Sequence, residues 1–398
     1  MQLPDVPEEQ AIATVHRAME LGINHYETAR GYGASEEILG RALRSFDRAS
    51  FILTTKITPK HYQNYQQCIE ESLTRLQVDY LDNFDIHGIN NEEQVEWVFK
   101  KGGALEAVHQ AMSEGLIRHV GFSSHGQLEI ILRVIETQAF ESVNLHYYYF
   151  NQRNLPALRR AGELDMGGLI ISPTDKGGQL HRPSQSLREL TAPYHPITIN
   201  HRFLFSHPEV TTVTVGAAHP DEFAPHLRAL ETGGPLTEET LMSRWLTKDH
   251  ENVIPAEAGI QNAGKGLDSH FRGNDGQLGV LSSEEQEIIA RLDSQYKKLG
   301  NTFCTLCHKC LPCPERINIP EVLRLRNLAI AFDMVDFGRY RYKMFENADH
   351  WFGGRKAIYC TKCNDCLPRC PEKLDIPALL MEAHEMLYRE EGKRKWSD

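Results

Sequence analysis

Two sets of residues in this chain have the types and spacing to do chemistry. The first is sulfur. Eight of the nine cysteines fall near the end, as Cys304, Cys307, Cys310 and Cys313 and then Cys360, Cys363, Cys366 and Cys370, while Cys68 stands alone. The second group reads C-x2-C-x2-C-x3-C-P, and the first reads C-x2-C-x2-C-x2-C-P, one residue shorter before its last cysteine. Three thiolates on one tight loop can cap three irons of a cubic 4Fe-4S cluster, while the following turn carries the fourth cysteine away. Disulfides need an oxidising compartment. Zinc usually takes its cysteines as two spaced pairs, not as four in one run ahead of a proline. Iron–sulfur ligation is the expected chemistry. Cys68, on a helix-like stretch ending near Leu76, is expected to be a small buried hydrophobe.

The second set is Glu27, Tyr32, Lys56 and His87. A lysine ammonium near a tyrosine favours the phenolate and draws its pKa down from about 10, toward proton donation near neutral pH. A carboxylate can hold the lysine in place, and a histidine can orient a substrate carbonyl or share the proton. These four make a coherent acid–base set only if the fold gathers three separate stretches of chain.

Apolar runs of strand length supply that gathering. They cover 23–28, 51–57, 80–88, 119–124, 142–149, 168–173 and 211–216, and they alternate with amphipathic stretches at 8–21, 35–46, 61–76, 92–114, 127–137, 155–163, 186–205 and 220–230. Such alternation predicts a parallel sheet with crossover helices, either doubly wound or closed into a barrel. No G-x-G-x-x-G follows the early strands, which counts against a dinucleotide-binding open sheet. A barrel places its active site at the C-terminal ends of its strands. Those ends carry Glu27 with Tyr32, Lys56, His87, Ser123 with Ser124, Asn144, Ser172 and Gly216.

Here a family comes into view. ETARGYGASEEILGRAL, TTKI, VDYLDNFDIHG, GLIRHVGFSS and VTTVTVGAAHPDEF, in that order, resemble the aldo-keto reductases over roughly residues 1–230. The resemblance implies a (β/α)8 TIM barrel, with no metal in it, that moves hydride between NAD(P)H and a carbonyl carbon. Tyr32 matches the family's proton donor, Lys56 its tyrosine-activating lysine and His87 its carbonyl-orienting histidine, and Glu27 stands where an aspartate is usual. Ser123, Ser124 and Asn144 match the positions that hold the nicotinamide carboxamide, and Ser172 joins them at its strand end. The 216–222 loop, with Gly216, His219 and Glu222, matches the loop that grips the adenosine end. Ala218 replaces a basic residue there, so NAD against NADP stays open. Met1-Gln2-Leu3-Pro4 falls where such chains have completed a strand. The barrel is therefore expected to lack its first strand and to leave two edges.

Both cysteine groups are followed by the same unit: Cys-Pro, a few residues, Ile-Pro, and a helix-like stretch. Residues 319–345 read as one long helix and 376–387 as another. Residues 296–398 resemble the helical di-cluster ferredoxin domain, an all-α fold whose function is electron transfer. In two-cluster ferredoxins the fourth cysteine of each motif ligates the other cluster. The resemblance then assigns Cys304, Cys307, Cys310 and Cys370 to one 4Fe-4S cluster, and Cys360, Cys363, Cys366 and Cys313 to the other.

The expected organisation is a barrel over 1–231, a linker over 232–281 and a helical domain over 282–398. The linker holds a flexible insertion at 250–280, rich in Gly, Asn and Asp and without apolar period. The reading is an oxidoreductase with two clusters, its NAD(P)H-linked carbonyl or alcohol chemistry coupled to electron transfer with a redox partner protein. The alternative is an iron–sulfur carrier or interaction protein whose barrel is an inactive scaffold. With 43 basic and 54 acidic residues the net charge is −11. That argues against nucleic acid or an anionic membrane surface as the main partner. No apolar run approaches a bilayer span, and the acidic, proline-bearing N-terminus lacks the basic and apolar regions of a signal peptide. A cytoplasmic location is expected.

Overall fold

The structure, a computed structural model, describes residues 3–59, 64–174, 179–230, 281–347 and 352–389. They fall into two compact units, one within 1–176 and 200–281 and the other within 177–199 and 282–398. The 250–280 insertion lies outside the described residues.

In the first unit the described residues form seven strands: β1 (His25–Glu27), β2 (Ile52–Ile57), β3 (Leu81–His87), β4 (Ile117–Ser123), β5 (Ser142–Leu145), β6 (Gly167–Ile171) and β7 (Thr212–Thr214). All pair in parallel, and their order in the sheet is their order in the chain. Each expected strand is present. The sheet curls into a nearly closed barrel: Thr214 Oγ1, on the last strand, donates to Glu27 Oε2, on the first, at 3.2 Å. The helix Glu8–Glu20 braces the same seam, Gln10 Nε2 donating to Ala218 O at 2.7 Å. Among the described residues the barrel has seven strands, one fewer than a (β/α)8 barrel.

Asparagine caps start the helices behind β2 and β3. Asn64 accepts from Gln67 N and Asn91 from Gln94 N, satisfying donors that a first turn leaves free. The helices Ser35–Leu43 and Tyr65–Leu76 touch at Gly40, where a Cβ would lie 2.6 Å from Leu76 O. The expected helix over 92–114 is two, Glu92–Phe99 and Ala104–Ser113, because Gly102 turns to φ 71° between them. That over 186–205 is also two, Gln185–Thr191 and Pro196–Phe205. Pro193, without an N–H, interrupts it.

Alternate residues of a strand face opposite sides, so Asn83, Asp85 and His87 of β3 share one face. A hydrogen bond from Asn144 of β5 to Asp85 marks that face as the barrel interior. Barrel interiors are usually filled by branched apolar side chains. Here Glu27, Lys56, Asp85 and Asn144 occupy it, and a charged interior needs a reason.

The second unit is helical. Its helix Ser283–Lys297 opens on a complete capping box between Ser282 and Glu285. The expected long helix ends at Phe332, where Asp333 turns left-handed at φ 53°, and a second helix runs Val335–Tyr342. The two cysteine groups lead into matching turns. Arg316 (φ 57°) and Lys373 (φ 53°) are left-handed, and Asn318 and Asp375 then cap the helices Ile319–Phe332 and Ile376–Leu387. No helix among the described residues is long and apolar enough to cross a membrane.

Candidate active site and cysteine centres

At the C-terminal end of the barrel, β1 ends at Glu27, β2 carries Lys56 and β3 ends at His87, as the strand boundaries require. Lys56 is 2% exposed and donates to Glu27 Oε1 at 2.5 Å and to Thr28 O at 3.1 Å. Its ammonium stands 5.8 Å from the centre of the Tyr32 ring. The Tyr32 hydroxyl meets His87 Nε2 at 3.5 Å, with the rings edge to face. Three stretches distant in sequence form one cluster.

Electrostatics correct one expectation. Burial is the largest influence on Tyr32 and pushes its phenol above the ordinary value; Lys56 pulls it back, while Glu27 and Asp85 push it further up. The pull foreseen from the lysine exists, but desolvation outweighs it. Burial alone would lower Lys56, yet Glu27, Tyr32 and Asp85 hold its ammonium above the ordinary value. Burial likewise opposes ionisation of Glu27, and the adjacent Lys56 charge keeps that carboxyl below its usual range.

The expected cofactor-side residues divide. Asn144 is fully buried and donates through Nδ2 to Glu27 Oε2 at 3.3 Å and to Asp85 Oδ2 at 2.9 Å, which joins it to the cluster. Among the described residues its buried Oδ1 has no hydrogen-bond partner, which leaves an acceptor suited to an amide N–H such as a carboxamide offers. Ser123 and Ser124 tie down the loop after β3: Ser123 Oγ accepts from Gly88 N at 3.0 Å, and Ser124 Oγ donates to Ile89 O at 2.6 Å. Ser172 sits just past β6 in a left-handed conformation, φ 52°. A Cβ at Gly216 would meet nothing within 4 Å, so open space lies beside that backbone. Glu222 accepts from Ala218 N at 2.7 Å and His219 from Asp221 N at 3.3 Å, so both engage their own loop. Two members of the interior were missed from sequence, Asp85 and Thr214. Asp85 lies two residues before His87, and strand alternation alone puts it on the same face.

In the helical unit the eight clustered cysteines line two recesses. One recess is lined by Cys304, Cys307, Cys310 and Cys370; the other by Cys313, Cys360, Cys363 and Cys366. Ile376 and Leu374 back the first, and Ile319 and Leu380 back the second, so each helix that follows one motif also walls the other's recess. Up to the third cysteine of each motif the loops correspond residue for residue. Leu306 and His308 are left-handed at φ 59° and 61°, as are Lys362 and Asn364 at 57° and 68°. Such turns point successive N–H groups at one place, a cradle for an anionic group.

The donor chemistry fits a cluster. Burial, with Cys307 and Cys370 nearby, pushes the Cys304 thiol up to about 11, and burial with Cys304 and Cys307 pushes Cys310 up to about 12. Crowded thiols of this kind become thiolates only with cationic charge among them. Among the described residues no three His, Cys, Asp or Glu side chains converge as a single metal ion would require. A four-iron cube offers each thiolate its own iron, and its sulfur ligands stand correspondingly apart.

Comparison with known proteins agrees with both halves. Residues 1–177 match the family model described as the aldo/keto reductase family, and residues 303–375 match that of the 4Fe-4S dicluster domain. An uncharacterized oxidoreductase, YqkF, of Bacillus subtilis is 26% identical over 272 residues, covering 59% of this chain and 86% of that protein. The methylglyoxal reductase DkgA of Salmonella typhimurium is 28% identical over 191 residues, 47% of this chain and 66% of that protein. The L-galactose dehydrogenase of Arabidopsis thaliana is 33% identical over 129 residues, 30% and 39% of the two chains. A solved aldo-keto reductase structure from Bacillus halodurans superposes with a TM-score of 0.50 at 24% identity, over 61% of this chain and 87% of that one, a likeness of fold. The chain thus carries a match to the aldo/keto reductase family over 1–177 and a match to the 4Fe-4S dicluster domain over 303–375.

Proposed function

We propose that the chain is an NAD(P)H-linked oxidoreductase acting on small carbonyls or alcohols, with two 4Fe-4S clusters that exchange single electrons with a redox partner protein. The observation that carries the reading is the gathering of Tyr32, His87, Lys56 and Glu27 at the strand ends. A bound nicotinamide supplies hydride to a carbonyl carbon, or accepts it in the reverse direction. In reduction, Tyr32 donates its hydroxyl proton to the substrate oxygen and is left as phenolate. The Lys56 ammonium favours that phenolate, Glu27 holds the ammonium, and His87 orients the oxygen. Asn144 Oδ1, Ser123, Ser124 and Ser172 would hold the nicotinamide, and Gly216, His219 and Glu222 the adenosine end.

The named activities of two relatives, methylglyoxal reductase and L-galactose dehydrogenase, support that substrate class. In the helical region Cys304, Cys307, Cys310 and Cys370 would hold one cluster, and Cys360, Cys363, Cys366 and Cys313 the other. The functional domains would be 1–231 and 282–398. The test is NAD(P)H oxidation over a carbonyl panel, with Tyr32→Phe beside wild type. Loss of the proton donor is expected to lower kcat/KM by about 100-fold or more. Equal rates would remove the catalytic role of Tyr32 and favour the carrier reading.

A further inference from the structure

Asp85 has no part in the chemistry above, yet it stands inside the site. It lies on β3 two residues before His87, paired across the sheet with Lys56 of β2 and Gly121 of β4. Its Oδ2 accepts from the Asn144 amide that also donates to Glu27. Among the described residues its Oδ1 has no hydrogen-bond partner, in a residue only 1% exposed. Gly121 makes the room: a Cβ there would lie 2.4 Å from Asp85 Oδ1 and 2.2 Å from Ser142 Oγ. The space is therefore shaped to a carboxyl.

Charge counting gives that carboxyl a task. The groups facing it are Glu27 from β1, Lys56 from β2, the neutral amide of Asn144 from β5, and Tyr32 with His87 at the mouth. One ammonium neutralises one carboxylate, and Glu27 already holds Lys56 in a direct ion pair. A second buried charge without a partner is costly, so the second carboxyl keeps its proton well above the usual range. Burial drives Asp85 up to about 7, with Lys56 opposing and Glu27 assisting.

Resting on the function proposed above, we propose that Asp85 is a positioning residue whose protonation state governs how strongly the Lys56–Glu27 pair supports a phenolate at Tyr32. With Asp85 neutral, the ammonium is shared between Glu27 and Tyr32 alone. With Asp85 ionised, a further negative charge enters the interior and opposes negative charge on the phenol, the direction in which Asp85 already acts on Tyr32. Tyr32 is then a weaker proton donor, and carbonyl reduction falls on the alkaline side.

The experiment compares wild type with Asp85→Asn, a permanently neutral side chain of the same shape that can still accept from Asn144. NAD(P)H-dependent carbonyl reduction is followed across the pH range, and difference infrared spectroscopy reads the carboxyl stretch without turnover. In wild type the rate and the protonated-carboxyl band should both fall as pH rises through about 7. In Asp85→Asn the band should be missing and the acid-to-alkaline rate ratio should shrink toward one. A variant that keeps the wild-type profile refutes the role of Asp85 alone. Wild type inactive at every pH refutes the proposed function, and with it this role. If the variant does not fold, wild type decides: a band lost more than about one pH unit from the rate limb overturns the proposal.

Discussion

Lys56 is the residue on which the barrel site balances. It is buried, paired with Glu27 and placed beneath the ring of Tyr32. Lys56→Met should therefore fail twice. It removes the charge that favours phenolate, and it strands the Glu27 carboxylate, 8% exposed, without a counter-charge. Breaking a buried pair from one side costs about 3–5 kcal/mol. A denaturant melt should show a loss of that order, and Lys56→Met with Glu27→Gln should recover part of it. Stability at Asp85 has the opposite sign from an ordinary surface carboxylate. Its folded-state pKa of about 7 lies above the ordinary 3.8, so the unfolded state loses its proton first. Stability is then fully present below the ordinary value and is lost as pH rises through about 7. Asp85→Asn should unfold at higher denaturant than wild type at pH 8, and the difference should shrink by pH 5. Glu27, Tyr32, Lys56 and His87 were legible in sequence because residue type and strand-end position coincide. Asp85 was not, because it lies one pleat below the end. The sign of the shift on Tyr32 was hidden too, since desolvation is a property of the packed interior and not of neighbouring letters.

At the scale of elements, the strands were the most legible part of the chain. Short apolar runs between turn signals have one good solution in a parallel sheet, and β1 to β7 lie where those runs fall. Helix continuity was less legible. An apolar period of 3.6 carries on across a short break, so the interruptions at Gly102, Pro193 and Asp333 passed unseen until the backbone showed them. Packing between helices was invisible for a related reason: Gly40 looks like any helical glycine, but its missing Cβ lets two helices meet. Gly40→Ala would place a carbon 2.6 Å from Leu76 O and 2.7 Å from Arg75 O, both of them backbone. The helices Ser35–Leu43 and Tyr65–Leu76 must part to admit it. Overpacking of that kind costs about 1–3 kcal/mol, despite the better helix propensity of alanine. A lowered midpoint in urea with an unchanged slope would be the signature, and an unchanged midpoint would show that the contact is soft.

Across the whole molecule, a stretch that matches the aldo/keto reductases is followed by a helical region whose eight cysteines line two recesses. The cysteine recesses make a prediction that spacing within either motif alone does not. Cys370 belongs to the second motif in sequence but lines the recess of Cys304, Cys307 and Cys310. Cys370→Ser and Cys304→Ser should therefore perturb the same cluster, giving matching changes in the electron paramagnetic resonance of the reduced protein, while Cys313→Ser should perturb the other. The crossed pairing was expected from the two-cluster ferredoxin pattern, in which the fourth cysteine of each motif serves the other cluster; that each helix walls the opposite recess was not legible in the sequence. The two-cluster proposal is tested most directly by how much inorganic iron and sulfide the protein carries when purified without air. Two cubes predict about eight of each per chain; a value near four, or a colourless protein carrying zinc, would contradict it.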